Sequence, residues 1–189
     1  MSSFERPGRA SGRVRRRAVY AAGAFALVAV FFAPLVPALT VSPRERGFPL
    51  ASPLVVGPTL VVGPVLSREG FELSYTHSVN KGRVTDYLEI ESSGDLVVRS
   101  SRFVSYGAGM SEPDEGGRFA DRGDSLELTG IDRAVPRVLL AVGEIAGHEI
   151  ARAGLRYALA DRFAPRTSVI IEYRPVSAFV LLRSGLRRR

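Results

Sequence analysis

The sequence predicts a mainly β protein, an antiparallel sandwich or barrel, preceded by one N-terminal transmembrane helix. Three observations carry this. Arg13, Arg15, Arg16 and Arg17 stand directly before a run from Ala18 to Leu39 that has no charged side chain. Beyond the run, apolar residues recur at every second position in eight short stretches, and those stretches are joined by segments containing Gly or Asp.

The apolar run comes first. As a helix its residues rise about 1.5 Å each and reach roughly 33 Å, enough for a hydrocarbon core of about 30 Å. Basic residues flanking a span stay on the cytoplasmic side, so residues 1–17 are expected inside and everything after Leu39 outside the cytoplasmic membrane. A cleaved signal peptide is the alternative, with Val36-Pro37-Ala38 as the small-residue site for the peptidase. The run exceeds the usual length of a signal core, which favours a retained anchor. The chain has no cysteine, so it has neither a lipidation site nor disulfides, thiolate metal sites or a cysteine nucleophile.

The net charge of +7 suggests a nucleic-acid partner until it is divided along the chain. Residues 1–17 carry +5, residues 183–189 carry +4, and the remainder carries −2. The charge therefore belongs to the two ends. Basic ends beside a membrane point to anionic lipid, so the lipid bilayer is the expected partner and nucleic acid is not.

Residues 40–52 read as a Pro/Gly-rich linker, 53–176 as the extracytoplasmic β domain and 177–189 as a basic tail. Within Ser42–Pro64 the echo Leu54-Val55-Val56-Gly57-Pro58 and Leu60-Val61-Val62-Gly63-Pro64 suggests edge strands broken at each Gly-Pro. The strands are expected at 71–79, 84–91, 96–105, 125–130, 138–145, 148–152, 155–160 and 168–173. Gly107 to Gly123 reads as one long loop, a common location for function on a β scaffold.

Two hairpins carry the polar residues of interest. In 71–79 the odd positions Phe71, Leu73, Tyr75, His77 and Val79 share a face, and in the next strand Val84, Asp86, Leu88 and Ile90 do. A tight turn at Asn80-Lys81-Gly82-Arg83 gives a register in which paired numbers sum to 163 and His77 faces Asp86. A one-residue slip is rejected, because it would turn the polar side of the second strand to the core. Such a pair would hold a ligand or act as a base, or it would simply satisfy itself in the interior. Ser78 lies on the opposite face and cannot be activated by His77. In the second hairpin, Ala153-Gly154 as a two-residue turn pairs Arg152 with Leu155, Ile150 with Tyr157 and His148 with Leu159. His77, Asp86 and His148 could meet as a two-histidine, one-carboxylate metal site, but this spacing is not diagnostic, and no metal or cofactor is expected.

The blocks Tyr75-Thr76-His77-Ser78-Val79, Asp86, Phe103-x-Ser105-x-Gly107-Ala108-Gly109 and Gly147-His148 resemble the bacterial family of domain of unknown function 1850. The likeness runs from about Leu54 to Tyr173. The family often has Thr-Pro where this chain has Gly82-Arg83, and a glutamate at Asp86. The resemblance implies a small membrane-anchored, outward-facing protein, often found beside tripartite (TRAP-type) transporters whose solute receptors are of the TAXI class. The expected role is an accessory or ligand-binding module working with the transporter's membrane subunit or its receptor, with Tyr75, His77, Asp86, Gly107, Gly109 and His148 as the binding candidates. An enzyme using His77 and Asp86 as a general base, and a purely structural membrane protein, are the competing readings.

Overall fold

The structure, a computed structural model, describes residues 12–44, 59–79, 81–104 and 117–186. Two antiparallel sheets face each other across one core. The smaller contains β1 (Val36–Pro43), β2 (Leu60–Val62), β11 (Ser168–Val176) and β8 (Val138–Ala141), in the order β2-β1-β11-β8. The larger contains β3 (Phe71–Thr76), β4 (Arg83–Ile90), β5 (Leu96–Phe103), β6 (Arg118–Asp121), β7 (Leu126–Val135), β9 (Glu149–Arg152) and β10 (Leu155–Ala158), in the order β10-β9-β3-β4-β5-β7-β6. Leu39, Val41, Val169 and Ile171 of the first sheet pack against Phe71, Leu73, Leu88, Leu96 and Ile150 of the second. Alternate residues of each strand supply that layer, as half-buried sheets require. The mainly β, antiparallel expectation holds.

The apolar run does not form the single helix expected of it. Helix α1 (Gly12–Phe32) ends at Phe32, and Val36–Leu39 are the start of β1, an interior strand paired with β11 from Val36↔Val176 to Pro43↔Val169. Ala38, Leu39 and Val41 are fully buried. The apolar part of α1 is thus Ala18–Phe32, about 22 Å long. Among the described residues no helix is long and apolar enough to cross a membrane. Proline ends the helix: Pro34 cannot continue it, and Val36 and Leu39 then gain more from the sheet core than from one further helical turn. Cutting after Ala38 would remove the first three residues of this interior strand.

The domain limits shift accordingly. The domain starts at Val36, and the expected linker at 40–52 contributes four residues to β1 before the described chain breaks after Arg44. Within the expected tail at 177–189, Ala178–Leu186 fold as helix α2, whose Val180 is buried with Ala38, Val61 and Val176 on the outer side of the small sheet. Ser184 Oγ accepts the Val61 N–H at 3.0 Å, so α2 caps the edge strand β2. Of the two echoes, the second forms β2; the first lies outside the described residues. The expected loop Gly107–Gly123 contains β6, an edge strand on β7. Residues 105–116, with Gly107 and Gly109, lie outside the described residues.

Candidate functional site

The β3–β4 hairpin has a wider turn than its sequence suggested. Phe71 pairs with Leu88, Leu73 with Asp86, Tyr75 with Val84 and Thr76 with Arg83, so paired numbers sum to 159 rather than 163. Six residues, His77 to Gly82, form the connection. His77 N–H donates to Gly82 O at 2.9 Å and Lys81 N–H to His77 O at 3.1 Å, with Lys81 rather than Gly82 in the left-handed region at φ 58°. His77 therefore leaves the sheet and does not face Asp86. Its Nδ1 accepts the Val79 N–H at 3.3 Å.

The faces expected for Tyr75 and Asp86 survive this change, because both registers pair odd with even numbers. Asp86 lies directly opposite Ser101 on β5, and Ser101 Oγ donates to Asp86 Oδ1 at 2.6 Å. Burial pushes the Asp86 carboxyl above its ordinary range, and the Ser101 bond opposes that shift. Tyr75, partly buried against Val84 and Phe103, has its phenol pushed up to about 12 by burial and then by the nearby Asp86 charge, so it remains a proton donor.

His148 completes this cluster. The second hairpin has the expected register, Arg152↔Leu155 and Tyr157↔Ile150, and Leu159 N–H donates to His148 O at 2.9 Å. The imidazole lies 5.9 Å from the Tyr75 ring, tilted by 31°. Gly143 N–H donates to its Nδ1 at 3.4 Å. Burial, and then the Arg83 guanidinium, lower its proton affinity. The imidazole is neutral at neutral pH, which agrees with an Nδ1 that accepts.

The segment 142–148 is tied to the first hairpin by two bonds. Thr76 N–H donates to Ala146 O at 2.7 Å, and Arg83 Nη1 to Gly147 O at 2.9 Å. Gly143 must be small here, since a Cβ would lie 3.0 Å from that of Ala146. Between this segment and the His77–Gly82 turn lies an open groove of about 340 Å³, lined by His77, Ser78, Lys81, Glu144, Ile145 and Arg166, among others. Two basic side chains, Lys81 and Arg166, and one acidic one, Glu144, line it. Lys81 Nζ donates to Ser78 O at 2.7 Å, which uses one of its three protons.

The sequence candidates thus divide between two adjoining places. Tyr75, Asp86 and His148 belong to the half-buried polar cluster with Ser101, and His77 belongs to the open groove. Sequence reasoning missed Ser101, Lys81, Arg166 and Ile145 as members of these sites. Ser101 was foreshadowed by being a polar residue among inward-facing Val84, Phe103 and Leu128. Arg166 had no comparable signal, because it reaches the groove only through the fold. Among the described residues no group of three or more His, Cys, Asp or Glu is placed to hold a metal ion.

Residues 71–159 match the model of the family described as a domain of unknown function (DUF1850). The match covers β3 to β10, which includes the whole larger sheet, Tyr75, His77, Asp86 and His148, and leaves β1, β2 and β11 outside. No match is found among the curated proteins or among the solved structures.

Proposed function

We propose that the DUF1850 domain and its flanking strands form a binding module held at the outer face of the cytoplasmic membrane, working with a TRAP-type transporter, and that it takes a small anionic ligand in the groove beside His77. The observation that carries this reading is the pairing of Lys81 and Arg166 with the exposed apolar Ile145 in one open groove. Such a site suits a carboxylate attached to a short hydrocarbon. An open groove at His77 is also what separates a binding role from a purely structural one.

Further support comes from placement. Arg166 stands two residues before β11 begins, and α2 starts two residues after it ends. Nine strand residues separate them, roughly 26 Å along the strand. The groove therefore lies at the end of β11 remote from α2, the outward end for a module held by α1. The transporter link is motivated by the company the family keeps. The enzymatic reading loses its stated dyad, since Asp86 pairs with Ser101 and His77 stands in the turn.

The test compares substrate uptake by the neighbouring transporter in wild-type, deletion and Lys81→Ala/Arg166→Ala cells, with thermal shifts of the purified protein in a panel of small carboxylates and matched amines. Impaired uptake in both mutant strains and a stabilising shift from carboxylates alone are expected. Normal uptake in the deletion strain would remove the transporter partnership, and equal response to amines would remove the anionic site.

A further inference from the structure

Resting on the membrane-held reading above, we propose that the domain sits directly on the bilayer through an apolar collar at the foot of α1, formed by Leu35, Leu66, Phe179 and Leu182, with Arg183 of α2 toward anionic lipid headgroups. The argument begins with a mismatch of lengths. The apolar part of α1 is about 22 Å long, some 8 Å less than a typical hydrocarbon core. Its side chains are exposed all round, Val19 at 69%, Phe25 at 77% and Leu27 at 75%, so none of the described residues covers these three. A helix apolar on every side calls for a lipid or a protein interior.

The domain continues the apolar surface where α1 stops. Phe179 of α2 packs against Phe31 and Phe32, with ring centroids 6.3 and 5.2 Å away, which fastens α2 to the foot of α1. Leu182, three residues on and on the same side of the helix, is 57% exposed, while Val180 and Ser184 face the small sheet. Leu35 and Leu66 are exposed nearby, Leu66 being tied to the start of β1 by its N–H, which donates to Pro37 O at 2.9 Å. Helix α2 thus has one side on the protein and an apolar side facing out, and its sequence runs on into Arg183, Arg187, Arg188 and Arg189. An apolar outer side followed by a basic run is the pattern of a helix lying in a membrane interface. The +4 of residues 183–189 contrasts with the −2 of the rest of the outer domain, which gives this end an affinity for anionic headgroups. Because the patch is continuous with α1, a bilayer that receives α1 must also meet the collar.

The chain has no tryptophan, so single-tryptophan variants of the full protein report position cleanly. Leu182→Trp and Leu66→Trp probe the collar, Phe25→Trp probes α1, and Ile145→Trp probes the groove. All four replace exposed side chains. Each is reconstituted into phosphatidylcholine vesicles, with and without phosphatidylglycerol, and quenched by brominated acyl chains or by aqueous iodide. The expected result is lipid quenching at positions 25, 66 and 182, stronger at 182 when phosphatidylglycerol is present, and aqueous quenching alone at 145. Lipid quenching at 25 with positions 66 and 182 behaving like 145 would overturn the collar and leave the anchor standing. Absence of lipid quenching at 25 as well would overturn the membrane-held reading and the collar together.

Discussion

Asp86 on β4 and Ser101 on β5 are directly opposed residues whose side chains meet, Ser101 Oγ donating to Asp86 Oδ1 at 2.6 Å. Removing the hydroxyl deprives a half-buried carboxylate of a donor, so Ser101→Ala should cost about 2 kcal/mol in a urea melt at neutral pH. Asp86→Asn keeps an acceptor for Ser101 and sheds the charge. Because folding raises the Asp86 affinity for its proton, its contribution to stability is present below the ordinary value of 3.8 and lost as pH rises through the folded value. The Asn variant should therefore match or exceed wild type at neutral pH and lose that advantage in acid. A less stable Asn variant at neutral pH would contradict this.

His148 should act in the opposite sense. Its folded affinity for a proton is depressed, so its contribution is present above the ordinary value of 6.5 and lost as pH falls below it. Denaturant midpoints measured from pH 7 downward should show a loss of stability that His148→Gln lacks. An NMR titration should place the His148 midpoint below that of an unstructured peptide.

Arg152, only 2% exposed, donates to the carbonyls of Val62, Pro64, Ser67 and Glu69. It fastens the segment between β2 and β3 to β9, and its fork geometry does so in a way an ammonium cannot copy. Arg152→Lys should cost about 3 kcal/mol, since several buried carbonyls lose their donors together. A loss of unfolding free energy under about 1 kcal/mol in a urea melt would mean that water replaces the guanidinium.

Ala153 and Gly154 both have positive φ, 50° and 74°, as a two-residue hairpin turn of the mirror-image type requires. Alanine is strained in that region, whereas asparagine and glycine are not. Ala153→Asn should stabilise the protein by about 0.5–1 kcal/mol, read as a raised melting temperature.

These residues also show what the sequence could and could not convey. The β9–β10 register was legible because Ala153-Gly154 fixes both the length and the hand of its turn. The β3–β4 register was not, because alternation of apolar residues rejects odd slips but is blind to even ones. With sums of 159 and 163 Phe71, Leu73, Tyr75, Val84, Asp86 and Leu88 keep the same face, and the loop length decides whether His77 and Val79 join them. Ala18–Leu39 misled for a related reason: Val36 and Leu39 are equally apolar in a bilayer and in a sheet core, and hydropathy does not distinguish the two. The groove was legible only at His77: Lys81 read as a turn residue, and Arg166 arrives from a chain segment more than eighty residues away.

Anion binding in the groove should depend on Lys81 and Arg166 separately. An exposed cation contributes near 1 kcal/mol to an ion pair, so Lys81→Ala or Arg166→Ala should each weaken binding of a small dicarboxylate such as succinate about fivefold. The two cations come from different segments and both line the groove, so together their losses should multiply. Raised salt should weaken wild-type binding and leave the double variant nearly unaffected, because screening acts only on charges that are present. His77→Ala tests the remaining wall: the bond from the Val79 N–H to its Nδ1 is exposed and 3.3 Å long, so the variant should lower affinity and leave the melting temperature nearly unchanged. Calorimetric titration of wild type and the four variants, with a thermal melt of His77→Ala, checks all of this, and wild-type affinity in the double variant would show that the anion binds elsewhere.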